Sequence, residues 1–165
     1  MSAIAVGRHF GVPGGEIRAA LEAYEPRLNR SQWVARGSNR FLLDAYNANP
    51  TSMAKALEAF AALNAPRKVV ILGDMLELGP FSGQEHRRIL DLALDLGFEQ
   101  VVLVGPHFEQ AARGAEGVLL FPDAGAARRW LQQAAFHDTH FLLKGSRGLA
   151  LEKILEEQSE PQRER

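Results

Sequence analysis

Five apolar runs of strand length recur along the chain: "FLLD" (41–44), "KVVILG" (68–73), "VVLVG" (101–105), "GVLLF" (117–121) and "HFLLKG" (140–145). The stretches between them carry the period of amphipathic helices, and such alternation fits parallel strands joined by crossover helices. The runs are apolar at almost every position, as expected for strands covered on both faces of a sheet. The expected architecture is therefore α/β: a Rossmann-like open, mostly parallel sheet with helices on both faces. "SQWVA" (31–35) reads as an extra edge strand, hairpinned to "FLLD" across "RGSNR".

The helices announce themselves by their ends. Asn49 is placed to cap a helix with Pro50 at its first position, after which Met53, Leu57, Phe60 and Ala61 share a face. Ser82 and Glu85 have the spacing of a capping box, followed by an apolar stripe of Ile89, Leu90, Ala93 and Leu96 and a stop at Gly97. Later helices are expected over 124–135 and 148–158. Ahead of the sheet, 3–10 and 16–24 read as two short helices around "GVPGG", closed off by Pro26. Residues 1–28 are thus a helical segment, either a fragment of a neighbouring domain or an adornment, and 29–158 form the main domain. The charged stretch 159–165 is expected to fray.

The 165 residues suffice for one sizeable core. With 46% hydrophobic residues, 24% charged residues and a net charge of -1, the chain has no bulk pull toward nucleic acid, so any anion must be gripped locally. The absence of cysteine excludes disulfides, thiolate metal sites and a cysteine nucleophile, and a cytoplasmic setting fits. No segment has the length of a bilayer span or the form of a signal peptide, so no membrane partner is expected.

Ligands of open α/β sheets bind beyond the carboxyl ends of the strands, and polar residues gather there in this sequence. Asp44, Tyr46, Asn47 and Asn49 put a carboxylate, a phenol and two amides into one turn. That set suits ribose hydroxyls, an adenine edge or a peptide-like ligand; an Asx-turn with a helix cap would use the same residues structurally. "KGSRG" (144–148) is a glycine-flanked turn in which Lys144, Ser146 and Arg147 add donors to backbone amides at an expected helix start, an arrangement suited to an anion or to an ordinary turn. It is not a Walker loop, because the lysine precedes the glycine. Asp74, Glu77 and His86 are placed to meet at one edge, as a divalent-metal or proton-moving set, or as a turn cap with solvated neighbours. His9, His107, His137 and His140 have no partner spacing that points to a site, and Arg30 is a lone cation at the domain junction.

Four segments, "NRSQW" (29–33), "LLDAYNANPTSM" (42–53), "VVILGDMLELG" (69–79) with His86 after it, and "LLKGSRGLALEKIL" (142–155), together resemble the C-terminal domain of the Mur ligases. The "YNANP" form is most similar to the members that add D-alanyl-D-alanine to UDP-N-acetylmuramoyl-tripeptide. The resemblance implies an ATP-dependent amide ligase that proceeds through an acyl phosphate, with Mg2+ bridging phosphates. It implies that Arg30 reaches the phosphates, that Asp44 holds the ribose, and that Tyr46, Asn47 and Asn49 line the nucleotide pocket. Lys144, Ser146 and Arg147 match the loop facing the incoming dipeptide. Residues 1–28 are similar to the last helices of the family's central ATPase domain. Asn29 and Ala45 depart from the common pattern, where a glycine and a second small polar or acidic residue are usual. The phosphate loop, the Mg2+ ligands and the UDP-binding domain lie upstream in the family, so this chain alone is expected to be inactive and to need those N-terminal and central domains as partners. Related readings are a polyglutamate- or cyanophycin-type ligase domain and a non-catalytic α/β binding module.

Overall fold

The computed structural model describes residues 2–23 and 30–156. The expected stop at Pro26, the boundary at 28–29, the departure at Asn29 and the tail 159–165 lie outside the described residues. Six strands form one sheet: β1 (Gln32–Arg36), β2 (Asn39–Asp44), β3 (Arg67–Gly73), β4 (Gln100–Val104), β5 (Val118–Phe121) and β6 (Thr139–Lys144). Their order is β1-β2-β6-β3-β4-β5, with β1 antiparallel to β2 and every other pair parallel. The edge hairpin forms across "RGSNR" as its sequence implies, with Gly37 at φ 57 supplying the left-handed residue of a tight turn.

The helices are α1 (Ser2–His9), α2 (Gly14–Glu22), α3 (Pro50–Ala61), α4 (Ser82–Asp95), α5 (Pro106–Ala111) and α6 (Ala124–Gln133). From β2 through β3 and β4 to β5 the chain steps toward one edge; it then returns through α6 and inserts β6 between β2 and β3. Right-handed crossovers must then lay α3, α4 and α5 on one face and α6 on the other. Burial agrees. Val70, Leu72, Val101, Leu103 and Leu142 pack with Met53, Leu57, Phe60, Ile89, Leu90 and Phe108. The alternate positions Val69, Ile71, Val102, Val104, Phe141 and Leu143 pack with Ala124, Ala127, Leu151 and Ile154. The period of two along each strand thus feeds two cores, which is why the runs look continuously apolar.

Two expected features differ. Ser82 and Glu85 make no capping box. A 3-10 turn over Gly79–Phe81 runs straight into α4, so Ser82 already has helical φ -51 and ψ -52 and cannot adopt the extended conformation of a cap, while Glu85 pairs with Arg88. Nor does an α-helix follow the "KGSRG" turn. Two 3-10 turns, Arg147–Leu149 and Leu151–Leu155, are separated by Ala150 at φ 48. Leu151 and Ile154, three apart, are buried together, as three residues per turn dictates. Leu151 sits over Gly73 and Gly145, where the ends of β3 and β6 pass so closely that a Cβ on Gly145 would lie 2.9 Å from Gly73 Cα.

α1 and α2 meet each other through Ile17 against Gly7, and no described side chain in either helix is buried. Ile4, Val6, Val12 and Leu21 remain exposed. Among the described residues, no helix is long and apolar enough to cross a membrane.

Candidate functional site

The register of the parallel strands builds the site. Asp44, last residue of β2, is paired with Lys144, last residue of β6, and Lys144 is paired in turn with Leu72 near the end of β3. The amide-rich corner and the Lys-Gly-Ser-Arg corner therefore lie side by side on the carboxyl rim, where β6 breaks the strand order.

Lys144 is the anchor of this rim. Its side chain is only 2% exposed, and its Nζ donates to Asp44 Oδ2 at 2.6 Å and to the Asn47 carbonyl at 3.2 Å. An ammonium so deeply placed demands a carboxylate and a second acceptor. Asp44 Oδ1 accepts from the Ser31 amide at 3.3 Å, so one carboxylate ties the segment after Arg30 to the β2 turn and to β6. Ser31 itself takes φ 48, a left-handed value that turns the chain into β1.

"DAYNANP" is then a sequence of alternating anchors. Ala45 and Ala48 are buried at 0% and 4%, Tyr46 and Asn47 project outward, and Asn49 caps α3. The Asn49 side chain accepts from the Ser52 amide at 2.9 Å, and the Ser52 hydroxyl accepts from the Asn49 amide at 3.1 Å. The amide of Asn49 is thereby committed to structure, while the Asn47 side chain faces solvent. The Arg30 guanidinium lies 3.8 Å from the Tyr46 ring centroid, and that of Arg147 lies 5.6 Å from it.

Ser146 is 6% exposed and laces two loops together. Its amide donates to the Asp74 carbonyl at 3.0 Å, and its hydroxyl accepts from the Leu76 amide at 2.9 Å. Arg147, next in sequence, is exposed. No α-helix starts at this turn, so its donors are side chains and local amides rather than a helix terminus.

Asp74 and His86 do meet, but as scaffold. Asp74 is 1% exposed and its two oxygens accept from the His107 and Phe108 amides at 3.0 and 2.9 Å, capping α5. Gly105 is required beside it, since φ is 113 and a Cβ would lie 2.5 Å from Oδ2. His86 Nδ1 donates to the Ser82 carbonyl at 2.7 Å and Nε2 accepts from the Met75 amide at 3.0 Å. A carbonyl can only accept and an amide N–H can only donate, so the neutral tautomer is fixed. Burial pushes this imidazole below its ordinary pKa, outweighing the Ser82 bond and the Asp74 carboxylate, which raise it. Glu77 is exposed at φ 66 and bonds to neither, so the expected trio is a buried pair. Among the described residues, no group of three or more His, Asp or Glu is placed to hold a metal ion. The rim offers cations and amides, a donor set for phosphate or carboxylate oxygens and not for Mg2+.

An open, mostly parallel α/β sheet whose switch strand β6 ends in a rim of cations and amides defines a Rossmann-like domain. The chain belongs to the Mur ligase, glutamate ligase domain family, whose model matches residues 29–147. It is 38% identical over 160 residues to the UDP-N-acetylmuramoyl-tripeptide--D-alanyl-D-alanine ligase of Treponema pallidum, covering 93% of this chain and 35% of that protein. The enzyme of the same name from Escherichia coli is 30% identical over 158 residues, covering 94% of this chain and 35% of that protein. Among solved structures, MurF from Acinetobacter baumannii superposes with a TM-score of 0.77 at 31% identity, covering 92% of this chain and 34% of that one. The chain thus spans about a third of the length of the curated relatives it matches.

The resemblance read from the four segments is borne out as to family and fold. Sequence reasoning missed the tether made by Ser146 and the burial of Lys144, whereas a capping role for Asp74 was one of its two readings and is the one the geometry bears out, at the start of α5. The lysine left one trace: it terminates an otherwise apolar run, which only a buried partner makes tenable.

Proposed function

We propose that this chain is the C-terminal domain of an ATP-dependent ligase that adds D-alanyl-D-alanine to UDP-N-acetylmuramoyl-tripeptide, with residues 1–28 belonging to the preceding ATPase domain. The observation that carries this reading is the shared rim, where Asp44 and Lys144 are paired across neighbouring strands while Arg30 and Arg147 gather at Tyr46. An acyl phosphate and its tetrahedral successor concentrate negative charge that such cations stabilise. Arg30 reaches the nucleotide phosphates, and Arg147 is the member of its loop that faces the incoming dipeptide; Lys144 and Ser146 hold the loops behind it. A carboxylate has about four acceptor positions, so Asp44 retains capacity for ribose hydroxyls beside its bonds to Ser31 and Lys144. Tyr46 and Asn47 border the same pocket, and Asn49 supports it as the cap of α3. Mg2+ would be held by upstream residues, as the donor set of this rim does not fit it.

The test is a chimera in which this chain replaces the matching third of the Treponema pallidum relative. Expected is ADP release that requires both the tripeptide nucleotide and D-alanyl-D-alanine and that falls at least a hundredfold with Arg30→Ala. The isolated chain should show none. A folded chimera that uses glutamate in place of the dipeptide, or ligation by the isolated chain, would overturn the proposal.

A further inference from the structure

We infer that Tyr46 is a positioning residue whose ring holds the guanidiniums of Arg30 and Arg147 in place for an anion, the anion itself resting on the function proposed above. Three observations converge on it.

The first is that the turn carrying the ring is anchored. Ala45 and Ala48 are buried on either side of the Tyr46–Asn47 protrusion, and Lys144 Nζ bonds to both Asp44 and the Asn47 carbonyl. The turn bearing the ring is therefore fixed at both ends, although Tyr46 as a residue is 39% exposed. The second is that both cations reach the ring from backbone segments that are themselves tethered. Arg30 precedes Ser31, whose left-handed backbone is tied to Asp44, and Arg147 follows Ser146, which laces the β3 and β6 loops. The third is charge. Among the described residues neither arginine has an ion-pair partner, so two like charges are gathered at one phenol with no described carboxylate paired to either.

A ring face attracts a guanidinium while leaving its N–H edge free, which an ion pair with a carboxylate would not. Long arginine side chains otherwise lose much rotamer freedom when a ligand fixes them. Ordering them beforehand shifts that loss out of the binding step, so the ring acts on affinity and geometry without touching the anion. The phenolic hydroxyl has no part in this, and the role requires only an aromatic face at 46.

The test uses the full chain and tripolyphosphate, a probe with phosphates but no base, alongside ATP. Arg30 and Arg147 side-chain NMR resonances should show ring-current shifts that vanish in Tyr46→Leu and return in Tyr46→Phe. Tripolyphosphate binding should weaken about threefold to tenfold in Tyr46→Leu and recover in Tyr46→Phe. The Tyr46→Leu loss should shrink when Arg30 is already alanine, the non-additivity expected of coupled groups. Weakened ATP binding with unchanged tripolyphosphate binding in Tyr46→Leu would mean that the ring meets the base, and would overturn the inference. So would equal behaviour of the Phe and Leu variants, or absent ring-current shifts in the wild type. Tripolyphosphate binding that ignores both Arg30→Ala and Arg147→Ala would instead sink the proposed function, with the ring-current signals still deciding whether Tyr46 orders the cations.

Discussion

Lys144 carries an ammonium at the carboxyl rim of the sheet with almost no contact with water, so its pairing with Asp44 sets what substitutions there can do. Removing one partner strands a buried charge. Asp44→Ala is expected to lower unfolding stability by about 3 kcal/mol, and Asp44→Ala combined with Lys144→Met to recover most of the loss, as read from urea midpoints. His86 is the second residue with a definite electrostatic consequence. Its folded-state pKa is depressed chiefly by burial, so below the ordinary histidine value of about 6.5 the unfolded state binds the extra proton more readily. The contribution is therefore present above that pH and lost as pH falls through it. Asp74 and the His107 ring face the same imidazole, the one favouring its charged form and the other opposing it. The urea midpoint should drop between pH 7 and pH 5, and His86→Gln, though less stable at pH 7, should show a flatter profile.

At the scale of elements, α3 tests whether the amides of the β2 turn are ligand or scaffold. Asn49 and Ser52 cap the helix reciprocally, so Asn49→Ala should cost about 1 kcal/mol in urea unfolding while Asn49→Asp costs a few tenths. That cap was legible because Asn-Pro ahead of an amphipathic stripe is a local signal. The stop after "KGSRG" was not. Gly148 to Glu156 has helical composition, yet Ala150 turns left-handed so that Leu151 can drop over the Gly73–Gly145 crossing, a contact between segments far apart in sequence. Ser82 and Glu85 failed for a similar reason, since the preceding 3-10 turn had already committed the backbone. Five strands were legible from their apolar runs, four of them beside a glycine, and the edge strand β1 from its hairpin turn. What no run discloses is which strands are neighbours, and the pairing of Asp44 with Lys144 depends on that.

Over the whole molecule, the sheet domain holds both cores, whereas α1 and α2 bury no described side chain of their own. Deleting residues 1–28 should therefore leave the unfolding free energy of the remaining chain, read from urea titration, within about 0.5 kcal/mol of the original, while exposed Ile4, Val6, Val12 and Leu21 make the 165-residue chain the more prone to self-association. A larger loss would show that the helical pair is integral to the sheet domain. The sheet also has an order of assembly written into it. Its sixth strand enters between the second and the third, so during synthesis β2 and β3 emerge with a gap between them that only residues 139–144 can fill. A ribosome must release the chain through residue 144 before the middle of the domain exists, and until then two unpaired strand edges stand open to chaperones and to one another's copies.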